Sequence, residues 1–259
     1  MIKEGFSNIK NKIMVMSNKG GVGKSTVSAN IATVLAQKGY KVGLLDIDIH
    51  GPSQAKIFGM NKQKLEMKNN KIYPFQVNEN LKLITMAGFL ENEGQALIWR
   101  GPRKYGVIKQ FVEDVEWGAL DYMVIDSPPG TGDEPLAIAQ LVTDLDGLIL
   151  VTTAQDLSVL DSKKVINFAN EVNVKILGLV ENMSFITCSH CGKESSLFKS
   201  SHQKGLIDDM QMNLLGSLPF DHDLLVHPND GESFFGKYKN SKTNKLFEEI
   251  VSKIEDKLK

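Results

Sequence analysis

The sequence predicts an α/β fold of three layers, α/β/α, around a mostly parallel central sheet. Three observations lead there. Short apolar runs suited to buried strands alternate along the chain with stretches whose apolar residues recur at helical spacing. A glycine-rich loop, Lys19-Gly20-Gly21-Val22-Gly23-Lys24-Ser25-Thr26, separates the first such run from the first such stretch. Two later runs end in an aspartate, at Asp46 and Asp126, and in open parallel sheets ligands bind at the carboxyl ends of the strands.

The chain's 259 residues can bury a sizeable core and fit a single domain over 1–259. Charged residues make up 24% of it and nearly cancel, leaving a formal net charge of −1. No global field therefore draws it to nucleic acid or to an anionic membrane, and neither is expected as a partner. An apolar leader is lacking, and no run approaches the roughly 18 apolar residues of a membrane span. A cytoplasmic protein is expected. Two cysteines, Cys188 and Cys191, are too few for a disulfide framework.

Residues 1–11 are polar and read as a lead-in, followed by a strand at Ile13 to Met16. In the loop, glycines let consecutive backbone N–H groups turn inward on an anion, and the helix start adds its dipole. Lys24 can then reach the β- and γ-phosphates of a nucleotide, and the Ser25 hydroxyl can ligate Mg²⁺. The strict pattern has glycine where Asn18 stands, but Lys19 to Ser25 fits the two-lysine "deviant" form KGGxGK[ST] without a mismatch. Val27, Ile31, Val34 and Leu35 give the following helix its apolar stripe, which Gly39 ends.

A strand at Val42 to Leu45 delivers Asp46 and Asp48. They share a side if the strand continues; otherwise Asp48 enters the loop before Gly51-Pro52, or the pair forms only an acidic turn. Residues 59–80 are a polar excursion with a hairpin turning at Asn69-Asn70, and Leu81 to Ile84 is the next strand. Arg100, touching phosphate or partner or simply structural, precedes an amphipathic helix carrying Val107, Ile108, Phe111 and Val115. Tyr122 to Ile125 then ends in Asp126-Ser127-Pro128-Pro129-Gly130. A carboxylate there is of the Walker B kind, suited to nucleotide-bound Mg²⁺, with a following backbone able to sense a γ-phosphate.

Gly147 to Val151 is a further strand, Leu157 to Val172 a helix, and Ile176 to Val180 a strand ending at Glu181-Asn182-Met183-Ser184. The Asn182 amide there either bonds an adenine edge or caps a turn. A last helix, at about 243–258, carries Leu246, Phe247, Ile250, Val251, Ile254 and Leu258 on one face. Mixed Glu and Lys opposite favour a docked helix over a membrane-targeting one.

The cysteines lie in a loop at about 183–195. As a CxxC pair they are a redox dithiol, half of a metal site, or inert packing. Their polar neighbours argue against packing, and the absence of a following helix argues against a thioredoxin-like dithiol. Structural zinc and a cubane cluster both need about four ligands, of which one chain supplies two. His190, between the cysteines, is awkwardly placed to join them on one ion. A twofold axis beside the loop would complete a four-thiolate site from two subunits.

Taken together these residues resemble the Mrp/ApbC family of cytosolic P-loop ATPases that carry iron-sulfur clusters. That family lies within the deviant-Walker-A class of MinD, ParA and the nitrogenase iron protein. The resemblance rests on the loop at 19–26, LLDIDIHGPS at 44–53, WRGP at 99–102, DSPPGTGDEPL at 126–136, GLVENMS at 178–184, the CxxC at 188–191 and LPFD at 218–221. It implies a P-loop NTPase fold with ATP bound by Gly20, Gly21, Val22, Gly23, Lys24, Ser25 and Thr26. Lys19 would cross a homodimer to the partner's ATP, and Asp48 would orient the attacking water. Ser25, Asp46 and Asp126 would hold Mg²⁺, directly or through water, and Asn182 and Pro219 would lie near adenine. Cys188 and Cys191 would supply half of a 4Fe-4S cluster bridging two subunits, for transfer to recipient apo iron-sulfur proteins. The form expected is minimal, without a second cluster. Ser189-His190 replaces a pair that often includes proline, so zinc, in a zinc-bridged ATPase chaperone, stays as an alternative. A MinD- or ParA-like positioning ATPase is the other.

Overall fold

The computed structural model describes residues 4–49, 51–89, 101–153, 159–188, 190–197, 212–221, 224 and 241–259. In chain order these form β1 (Ile9–Met16), α1 (Lys24–Gln37), β2 (Val42–Asp46), α2 (Gln54–Ile57), β3 (Glu66–Lys68), β4 (Lys71–Tyr73), β5 (Phe75–Asn78) and β6 (Leu81–Thr85). There follow α3 (Gly101–Glu113), β7 (Leu120–Asp126), α4 (Asp133–Leu141), β8 (Gly147–Thr153), α5 (Val159–Glu171), β9 (Ile176–Thr187), β10 (Glu194–Ser196), β11 (Leu214–Pro219) and α6 (Lys242–Leu258).

Nine strands among the described residues make the central sheet, in the order β10-β9-β8-β1-β7-β2-β6-β5, with β11 also on β9. All pairs are parallel except β5 on β6 and β10 on β9, so the expected mostly parallel sheet is present. The chain steps from β1 across to β2 and β6, then returns through β7 and past β1 to β8. With right-handed crossovers, that reversal puts α1 on one face of the sheet and α3 and α4 on the other. It also places the carboxyl end of β1 at the point where the winding changes direction, which is the ligand crevice of such sheets.

Strands covered on both sides carry near-continuous apolar residues; every residue of β2 and β8 is buried. The last helix docks as expected, burying Phe247, Ile250, Val251 and Ile254. An ion pair of Lys38 with Glu255 ties it to the end of α1. The polar excursion contains the expected hairpin: β3 and β4 pair antiparallel, with Lys68 opposite Lys71. Asn69 and Asn70 take φ of 51° and 58°, the left-handed pair a two-residue turn requires.

Three boundaries differ from the sequence reading. The lead-in ends earlier, because β1 begins at Ile9, and its lysines find carboxylate partners. Buried Lys12 donates from Nζ to the Ile9 carbonyl at 2.7 Å and to Asp144 at 2.8 Å, and Lys10 pairs with Asp121 at 2.8 Å. Second, α3 ends at Glu113, and Val115 instead bridges Ile72 in extended backbone. Third, β9 does not stop at Glu181 but runs on to Thr187. Met183 takes φ of 55°, and β11 follows by shifting register, pairing Ser217 with Glu181 and then Pro219 with Phe185. Arg100 and Trp99, and the start of the expected helix at 157–158, lie outside the described residues.

Candidate nucleotide site and thiolate hairpin

The carboxyl ends of β1, β2 and β7 meet in register. Val15 on β1 pairs with Asp126 on β7, and Asp126 pairs with Asp46 on β2. Two carboxylates are thereby set side by side at the foot of the glycine loop, and both are fully buried. Lys24, also buried, donates from Nζ to Asp126 Oδ1 at 2.5 Å and lies 3.2 Å from Ser25 Oγ. The Ser28 hydroxyl donates to the same Asp126 oxygen at 3.0 Å. On the other oxygen, Gln54 Nε2 donates at 2.7 Å.

Asp46 accepts from the backbone N–H of Asp48 at 3.0 Å and of Gln54 at 3.3 Å, and from the Thr85 hydroxyl at 3.0 Å. Burial, and after it the neighbouring Asp126 carboxylate, push the Asp46 carboxyl up to about 8. One ammonium thus faces two buried carboxylates. At neutral pH the upward shift keeps Asp46 mostly protonated while Lys24 balances Asp126. The hard oxygen donors of Asp46, Asp126 and Ser25 suit a divalent cation such as Mg²⁺, whose charge would favour release of the Asp46 proton. Asp48 is half-buried, and its Oδ1 accepts from the Gly51 N–H at 3.0 Å, closing the turn.

The loop itself fits an anion. Gly23 precedes α1 with φ of 82° and no side-chain cap, so the first-turn N–H groups donate to no capping side chain, which makes that end a phosphate cradle. Glycine is needed there for space as well, since a Cβ on Gly23 would stand 2.1 Å from Asn182 Nδ2. Val22 is buried, Thr26 is half-buried, and Lys19, Gly20 and Gly21 are exposed. Pro128 to Gly130 fold back over its start, with the Gly130 N–H donating to the Ser17 carbonyl at 2.6 Å.

Asn182 sits inside β9, not at its end. Its amide nitrogen donates to the Val22 carbonyl at 2.9 Å. Pro219 lies on the adjacent strand, opposite Phe185. Past Thr187, the chain turns and returns as β10, with Cys188 N–H bonded to the Lys193 carbonyl and Gly192 N–H to the Cys188 carbonyl. Both cysteines are free and exposed. Hydrogen bonds from the backbone N–H groups of Cys191 and His190, and from the Cys191 side chain, lower the Cys188 thiol's pKa and favour its thiolate. Among the described residues no cluster of three or more His, Cys, Asp and Glu side chains suited to a metal is found, so this hairpin offers two ligands.

The two faces of the hairpin differ. One meets the start of α6: Lys242 pairs with Glu194 and lies 5.7 Å over the Phe185 ring. The other, by strand alternation, is the side of Ser184, Ile186 and Cys188. There Ile186 remains 41% exposed and Leu197, beside Ser184, 37%.

The model of a family described as NUBPL iron-transfer P-loop NTPase, within the ParA group, matches residues 8–255. The chain belongs to this iron-transfer P-loop NTPase family. An iron-sulfur cluster carrier protein of Saccharolobus solfataricus is 45% identical over 96% of this chain and 84% of its own length. A cytosolic Fe-S cluster assembly factor NUBP1 homolog of Brugia malayi is 42% identical over 98% and 84%. The solved structure of a nucleotide-binding protein from Archaeoglobus fulgidus, in complex with ADP, is similar at a TM-score of 0.77. It is 34% identical, over 93% of this chain and 97% of that one. The cell division ATPase MinD of Pyrococcus furiosus shares the fold, with a TM-score of 0.66 at 21% identity over 95% of this chain and 98% of that one.

Ser28 and Gln54 complete the site's hydrogen bonding yet carry no motif signal. Ser28 lies four residues beyond Lys24 on the same helix face, which is the one local cue to its position.

Proposed function

We propose that the protein is a cytoplasmic ATP-binding and ATP-hydrolysing iron-sulfur cluster carrier. It holds a 4Fe-4S cluster between the CxxC hairpins of two copies and passes it to recipient apoproteins. The observation that carries this reading is the exposed CxxC hairpin, with its first thiol tuned toward thiolate, at the end of a strand whose Asn182 touches the phosphate loop. Two thiolates per chain leave a four-thiolate cluster half-built, and the exposed Ile186 and Leu197 on the Cys188 face of the hairpin give a second copy an apolar surface to meet. The family and its iron-sulfur carrier members support the cargo.

At the nucleotide, Gly20, Gly21, Val22, Gly23 and Thr26 would wrap the phosphates and Lys24 would leave Asp126 to neutralise them. Ser25, with Asp46 and Asp126 behind it, would hold Mg²⁺, which supplies charge neutralisation at the β- and γ-oxygens. Asp48 would orient the water whose oxygen bonds to the γ-phosphorus as the bond to the β-bridging oxygen breaks. ADP and inorganic phosphate result, and the surplus proton goes to solvent. Lys19, exposed in the loop, would act on the partner's nucleotide, and Asn182 and Pro219 would border the adenine. Dimer geometry would then join ATP turnover to cluster binding.

Anaerobic reconstitution with iron and sulfide tests the cargo. The expected result is a broad visible charge-transfer band, about four irons per dimer, and transfer of the cluster to an apo acceptor protein. Tight stoichiometric zinc with no iron retained would overturn it.

A further inference from the structure

We propose that Gln54 is a positioning residue for the magnesium-nucleotide site: it fixes the Asp126 carboxylate and the Ser25 backbone once Lys24 has turned to the phosphates. The inference rests on the nucleotide reading above. Gln54 opens α2, just beyond the Asp48 turn, and is fully buried. Its Nε2 donates to Asp126 Oδ2 at 2.7 Å and to the Ser25 carbonyl at 2.9 Å. Its backbone N–H donates to Asp46 Oδ2 at 3.3 Å. A single residue therefore touches each of the three that would flank the cation.

The orientation of this amide is dictated by its surroundings. Carboxylate and carbonyl are both acceptors, so only the nitrogen can face them, and the oxygen is forced away. That oxygen is buried with no hydrogen-bond partner among the described residues. An unpaired buried acceptor is costly, and an apolar side chain of similar shape would avoid the cost. What the glutamine provides in exchange is a two-pronged donor aimed at site atoms.

Its importance follows from which donors stay. In this structure Asp126 Oδ1 is held by Lys24 and Ser28, and Oδ2 by Gln54. Lys24 is the donor on a long side chain and the one that phosphates would attract. After it leaves, Ser28 and Gln54 still place one donor on each carboxylate oxygen, which fixes the plane of the group. The bond to the Ser25 carbonyl fixes the distance from that carboxylate to the residue whose hydroxyl faces the cation. Removing the amide should therefore weaken the magnesium-dependent part of nucleotide affinity and spare the phosphate loop's own grip.

The test is equilibrium binding of a fluorescent ADP analogue, in EDTA and in saturating Mg²⁺, to wild type, Gln54→Met and Gln54→Leu. Met keeps the length and shape of the side chain, and Leu guards against a failure of the first variant to fold. The expected result is affinity in EDTA within about threefold of wild type, and a magnesium enhancement reduced about tenfold or more. Ligand-free thermal melting should fall modestly, because Asp126 Oδ2 loses its donor, an effect only partly offset by removal of the orphaned amide oxygen. A full magnesium enhancement in either folded variant overturns the proposal. So does an equal loss with and without magnesium, which would mean that Gln54 supports the loop as a whole. Wild type that binds no ADP in either buffer would instead overturn the nucleotide reading.

Discussion

Asn182 donates its side-chain amide to the Val22 carbonyl at 2.9 Å, so β9 is fastened to the phosphate loop six residues before it delivers Cys188. A loop that must change shape around phosphate is thus in direct contact with the strand leading to the thiols. Asn182→Ala leaves a carbonyl unpaired in a buried setting, a cost of about 1–3 kcal/mol. The expected outcome is a lower ligand-free melting temperature and about tenfold weaker nucleotide binding, measured by calorimetry. Unchanged affinity would show that the loop's shape does not depend on this contact.

Lys24→Ala is expected to abolish ATP hydrolysis and cluster delivery while the fold survives. Breaking a buried pair typically costs about 3–5 kcal/mol. Asp126 keeps its bonds from Ser28 and Gln54 here, so a loss of about 2–3 kcal/mol in urea unfolding is the outcome expected. Normal cluster delivery by this variant would separate delivery from ATP.

Cys188→Ser and Cys191→Ser should each abolish cluster retention after reconstitution. Both side chains are exposed, and surface substitutions cost within about 0.5 kcal/mol, so apo melting should not move. Iron analysis and a melting curve on the same samples check both halves.

Lys19 is exposed in the loop, unlike the buried Lys24. Lys19→Ala should leave nucleotide affinity within about threefold of wild type and reduce turnover about a hundredfold or more, as for a cation supplied across an interface. Steady-state hydrolysis beside equilibrium binding separates the two effects. Equal losses in both would place Lys19 on its own chain's nucleotide.

Asp121 gives a pH signature far from the site. Its hydrogen bond from Lys10 and that from the Lys41 N–H lower its pKa below the usual carboxylate value. A group depressed in the folded state stabilises above its unfolded pKa, and the benefit is lost as pH falls through the folded one. Wild type should therefore exceed Asp121→Asn in urea midpoint at pH about 6, with the gap closing below pH about 4. A gap constant across that range would assign the difference to packing.

Much of the site was legible because its chemistry is local. The loop's glycines and lysines are contiguous, and Asp46 and Asp126 each close an apolar run, so the fold class and their place at strand ends followed from spacing, while their convergence was implied by the family resemblance. Gln54 was silent because its partners lie at Ser25, Asp46 and Asp126, and no short-range pattern records such a meeting. The early start of β1 was hidden for the same reason. Residues 1–11 read as a polar lead-in, while the carboxylates that pair with Lys10 and Lys12 wait at Asp121 and Asp144, more than a hundred residues away. The continuation of β9 turns on one methionine with positive φ, a conformation that sequence rarely announces.

The β1 strand sits between β7 and β8, and α1 is tied to α6. During synthesis this sets an order of events. Lys24 emerges 102 residues ahead of the Asp126 that restrains it, and Lys38 217 residues ahead of Glu255. The nascent loop therefore has no walls, and contacts of such long sequence separation form slowly. The first functional segment to leave the ribosome is among the last to become competent, so nucleotide capture by a newly made molecule would report that the far half of its sheet is already in place.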